Sequence, residues 1–164
     1  MKKLGLLLAL LACDTHGTNG ALPFTPNTEL ATIGPLPDGG VDPRFVVIAI
    51  AAINEGALDC AAWADGGTRT GQALGITLGR LDGTPFDAGS YPIVSNVTDL
   101  DGGIGADLAL VDDTGNVIAV GTGGSVTLTS VGSTYAGNYN VEAALTAGGS
   151  TTYEGDFSAT LCTQ

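Results

Sequence analysis

Asn138 to Cys162 reads NYNVEAALTAGGSTTYEGDFSATLC, and this stretch decides the fold class. Tyr139, Val141, Ala143 and Leu145 fall on one parity, opposite Asn138, Asn140 and Glu142. After Ala147-Gly148-Gly149 the alternation resumes, with Tyr153, Phe157, Ala159 and Leu161 on one face. A period of two is the signature of a strand with one buried face. The glycines between the two runs supply the left-handed conformations that a tight turn demands. A hairpin is therefore expected, and its register is fixed, because a one-residue slip would turn each apolar row to water.

The same grammar extends upstream. GSVTLTSV (124–131) alternates as a further strand, and ADLALVDDTGNVIAV (106–120) reads as a hairpin whose turn chemistry runs from Asp112 to Asn116. SYPIVSNV (90–97) places Tyr91, Ile93 and Val97 together, and Pro92, which cannot donate to a ladder, makes it an edge strand. QALGITLGRL (72–81) sets Leu74, Ile76 and Leu78 on one face. FVVIAIAAI (Phe45–Ile53) is apolar on both parities and β-branched, as a central buried strand would be; a buried helix running on to Trp63 is the competing reading. About eight short strands with no amphipathic helix between them predict an all-β antiparallel sandwich over residues 44–164, immunoglobulin-like or jelly-roll-like.

Residues 14–43 differ in character. They hold five of the seven prolines (Pro23, Pro26, Pro35, Pro37, Pro43) among Gly, Thr and Asn, without apolar periodicity, and read as a disordered, flexible tether. Thirty such residues have an r.m.s. reach of roughly 30 Å. Ahead of them, Lys2 and Lys3 precede a nine-residue apolar run, Leu4 to Ala12, far short of the roughly 20 residues that span a bilayer. A basic start followed by a short apolar run is the layout of an export signal over residues 1–12.

Leu10-Leu11-Ala12-Cys13, which closes that run, resembles the lipobox of bacterial lipoproteins. Leu11 is bulkier than the residue often found at its position. The resemblance implies that the chain is cut before Cys13, that the cysteine thiol takes a diacylglycerol, and that its freed amine is acylated as well. It implies an address in the bacterial cell envelope, held to the membrane by lipid, with the outer membrane favoured. Asp14 resembles an inner-membrane retention signal, which keeps the inner membrane open. A second likeness lies at the other end. Gly155-Asp-Phe157-Ser-Ala159-Thr-Leu-Cys162, with Gly-Ser-Val-Thr-Leu-Thr at 124–129, resembles small exported β-sandwich lipoproteins of unassigned function in Gram-negative bacteria; it implies a fold and no activity.

Cysteine counting agrees with the first likeness. Of Cys13, Cys60 and Cys162, a lipidated Cys13 leaves one pair, Cys60 with Cys162, for a disulfide in an oxidising compartment. Without residues 1–12 only three basic residues remain, Arg44, Arg69 and Arg80, against 17 carboxylates, a net charge of −14. Such a surface repels nucleic-acid phosphates and anionic lipid head groups, so no nucleic-acid partner is expected and the lipid alone is the membrane contact.

Catalytic equipment is scarce. The one histidine, His16, lies in the tether, so a Ser-His-Asp or Cys-His site and a His/Cys zinc site have no histidine in the folded part. No phosphate loop is present. Carboxylates remain: Glu55, Glu142 and Glu154 could serve a hydrolase or carbohydrate-active protein, the alternative to a non-catalytic role in binding, adhesion or structure. Asp99, Asp101, Asp107, Asp112 and Asp113 are oxygen ligands of the kind calcium takes, but the EF-hand spacing is missing and turns explain them, so neither a metal nor a cofactor is expected.

Overall fold

The computed structural model describes residues 26–34, 47–64, 69–80, 84–95, 100 and 104–162. They form eight strands and one short helix: β1 Thr28–Gly34, β2 Val47–Asn54, α1 Cys60–Ala64, β3 Ala73–Arg80, β4 Gly89–Pro92, β5 Ile104–Val111, β6 Val117–Ser130, β7 Thr134–Leu145 and β8 Ser150–Leu161. Asp59 starts α1 by accepting the Ala62 N–H at 2.7 Å, the geometry of an N-cap. The all-β expectation holds, while the helix that competed for residues 45–63 amounts to these five residues after β2.

The sheet does not divide into the two layers of a sandwich. Its order is β4-β6-β5-β3-β2-β1-β8-β7, and β7 returns to pair with β6, so seven strands close a ring and β4 lies outside it. Barrel is the description that fits. The correction has a plain cause: inward/outward alternation is the same for a strand in either architecture. A second correction concerns the tether. Thr28–Gly34, inside the stretch expected to be disordered, is β1, antiparallel to β2 and parallel to β8, with Ala31 fully buried.

β6 holds the ring together. β7 pairs along almost all of one edge; the other edge serves β5 at residues 117–120 and β4 at 125–128. The two runs expected to be separate strands are one strand with an internal irregularity. Gly121 faces Ala143 and Gly123 faces Glu142, which leaves Thr122 as an extra residue. The bulge switches parity: Ala119 and Gly121 are buried before it, Val126 and Leu128 after it. Gly124, at φ +96°, is where the chain recovers, and a Cβ there would run into the Asn140 carbonyl.

The interior is filled by side chains, as a small barrel requires. Across β7 and β8 large residues face smaller ones: Tyr135 opposite Ala159, Phe157 opposite Gly137, Tyr139 opposite Gly155, Tyr153 opposite Val141. All of these aromatic rings are at most 5% exposed. Leu74, Ile76 and Leu78 of β3 and Leu108 and Leu110 of β5 complete the core, each contributing about 1.5–3 kcal/mol on burial.

Cys60 and Cys162 form a disulfide with Cα atoms 5.4 Å apart, joining α1 to the residue after β8 across 102 positions. The N–H of Cys162 donates to the Ala31 carbonyl at 2.7 Å, which places the bond beside the β1–β8 joint.

Gly124→Ala is expected to cost about 2–4 kcal/mol, from the left-handed backbone plus the collision with β7. Gly148→Ala, at φ +96° with open space around it, isolates the backbone part at about 1–2 kcal/mol. Urea unfolding at unchanged m-value reads both.

Candidate functional site

One end of the barrel carries an apolar depression of about 370 Å³, lined by Ile33 of β1, Pro85 and Phe86 ahead of β4, Val131 and Gly132 between β6 and β7, and Tyr135 of β7. The volume lies within the range of small-ligand sites, roughly 300–1,000 Å³. Ile33 shares the inward parity of Ala31, but at the end of β1 it is 42% exposed, as Val131 is at 37%. Beneath them Phe86 and Tyr91 pack with ring centroids 5.7 Å apart. The Tyr91 hydroxyl donates to the Asp87 carbonyl at 2.8 Å, and Arg80 Nη1 donates to the Pro85 carbonyl at 3.0 Å. The wall ahead of β4 is thus pinned from β4 and β3. Burial, then the neighbouring Tyr91, push the Tyr135 hydroxyl above its ordinary pKa, so it stays a neutral donor beside the depression.

No sequence signal pointed here. The lining comes from three separated segments, one of them the strand hidden in the supposed tether; inward parity continued to a strand end was the only available clue.

The acidic candidates are dispersed. Asp99 and Asp101 lie outside the described residues. Asp107 sits on β5 opposite Thr77, and Asp113 is exposed in the β5–β6 turn. Asp112 organises that turn: its Oδ1 accepts the Thr114 hydroxyl at 2.7 Å and the N–H groups of Thr114 and Asn116 at 2.9 Å. Its Oδ2 accepts the Asn116 amide at 3.3 Å. Led by the Thr114 hydroxyl and then the Asn116 N–H, these donors hold the carboxyl down at about 2. A carboxylate so engaged is a turn residue with little left for an ion. Among the described residues no group of three metal-ligating side chains comes together.

Glu142 and Glu154 are exposed on the outer wall, opposite Thr152 and Asn140, while Glu55 follows β2 elsewhere. The structure therefore brings together Cys60 and Cys162, and does not gather Glu55 with the other two glutamates. Cys13 lies outside the described residues.

Two outcomes follow from this geometry. A group whose folded pKa is depressed adds stability above its unfolded value and loses it as pH falls through the folded one. The Thr114 and Asn116 amides should therefore keep their hydrogen-exchange protection at pH 5 and lose it between about pH 4 and pH 2, a loss absent in Asp112→Ala, where protection is low throughout. At the depression, Val131→Asp should weaken binding of an apolar fluorescent dye about tenfold while moving stability by less than about 0.5 kcal/mol, since the position is exposed.

Comparison with protein-family models gives no match, and no curated protein or solved structure matches the chain either.

Proposed function

We propose that this chain is an exported lipoprotein of the bacterial cell envelope, held by acyl chains on Cys13 and presenting a non-catalytic barrel for a binding, adhesion or structural role. One observation supports the address above the rest. The Cys60–Cys162 disulfide uses two of the three cysteines and leaves Cys13 alone, at the position the lipobox assigns to lipid. A structural disulfide also fits an oxidising compartment. Dual or triple acylation suits a surface of this charge, because each buried methylene adds about 0.8 kcal/mol of anchoring without any basic residue. The apolar depression supports the binding role, since its lining of Ile33, Phe86 and Val131 offers an apolar ligand a concave surface.

Mass spectrometry of the mature protein expressed in a Gram-negative host tests the address. The expected N-terminus is an acylated Cys13, and Cys13→Ala should shift the protein from the membrane to the soluble fraction. A free amine at any other residue would overturn the reading.

A further inference from the structure

The joints of the ring are unequal. The β2–β3 and β3–β5 ladders have eight register pairs each, β1–β2 seven and β7–β8 eleven. The β5–β6 ladder has only three, but β4 backs it by pairing with β6, and Ile93 bridges to Ala106 of β5. Among the described strands the β1–β8 joint is the one parallel ladder, with two pairs, Leu30 with Thr160 and Ala31 with Leu161. Directly before it the Ser158 N–H turns to a side chain, Glu29 Oε2 at 2.6 Å, where a continuing ladder would offer a carbonyl. Directly after it come the Cys162 to Ala31 hydrogen bond and the disulfide. A joint with so few backbone bonds is where local opening is cheapest.

We propose that the Cys60–Cys162 bond is the latch of the barrel: as a disulfide it keeps the β1–β8 seam closed, and as two thiols it lets the seam open while the β6–β7–β8 meander stays folded. Setting the latch is thiol–disulfide exchange with a donor disulfide. One cysteine thiolate attacks a donor sulfur and expels a donor thiolate, forming a mixed disulfide. The other cysteine thiolate then attacks the cysteine sulfur of that intermediate and expels the second donor thiolate. Two electrons and the two thiol protons pass to the donor, which leaves as a dithiol. Combined with the proposed address, closure becomes a step that follows export from the reducing cytoplasm; that consequence rests on the address, and the latch itself does not.

Hydrogen exchange read by mass spectrometry on the full chain, oxidised and after reduction with a phosphine, tests the latch. Peptides covering 28–34 and 158–161 should exchange about tenfold faster on reduction, while those within 136–143 of β7 change less than about twofold. The double variant Cys60→Ser, Cys162→Ser should show the same pattern without phosphine. An equal rise in all strands would mean global loss of stability, and no rise at the seam would mean that it holds unaided; either result overturns the proposal. Should the double variant not fold, the phosphine arm decides alone, since it starts from the native oxidised protein.

Discussion

A ring of seven strands cannot alternate direction all the way round, because alternation closes only for an even number. One joint has to be parallel, and here it lies between β1 and β8, the first and last of the described strands. No hairpin can make such a joint; its two sides must be gathered from some 130 residues apart, at a loop-closure cost of roughly 4 kcal/mol beyond a fixed term. The disulfide spans nearly the same stretch. Closing a loop near 100 residues in the unfolded chain removes about 4–5 kcal/mol of that same entropy. The covalent bond thus stands at the place where the topology is most expensive.

Given closure, the interior is narrow, and two aromatic rings cannot sit opposite one another. The β7 and β8 sequences resolve this by spacing: glycine, alanine or valine stands across from each ring. A Cβ on Gly155 would come within 2.7 Å of the Tyr139 hydroxyl oxygen, so that ring lies over bare backbone. Burial, followed by the charges of Glu29 and Asp156, pushes the Tyr139 hydroxyl up to about 12. The ring remains neutral in ordinary solution. Packing, seam and outer carboxylates are therefore linked at one tyrosine.

Most strands could be read from residue pattern, and so could the pairing of Cys60 with Cys162, because both rest on local periodicity or on counting. What was not legible is non-local. Thr28–Gly34 is seven residues with prolines close by, and only its neighbours β2 and β8 make it a strand. Gly121, Gly123 and Gly124 read as a break between elements, yet the backbone passes through them as a bulge and β6 continues for 14 residues. Ring closure leaves no mark on alternation. The apolar depression depends on all three of these, which is why its residues could not be assembled from the sequence.

The distribution of chromophores has a practical consequence. All four tyrosines, Tyr91, Tyr135, Tyr139 and Tyr153, belong to the buried core and are at most 5% exposed. The one tryptophan, Trp63, is on α1, three residues from Cys60 and so on the same helical face as the disulfide. A nearby disulfide quenches indole emission, whereas phenol absorbance follows the packing of the interior. The protein carries two separate optical reporters without any label, one for the barrel wall and one for the bond that ties its ends.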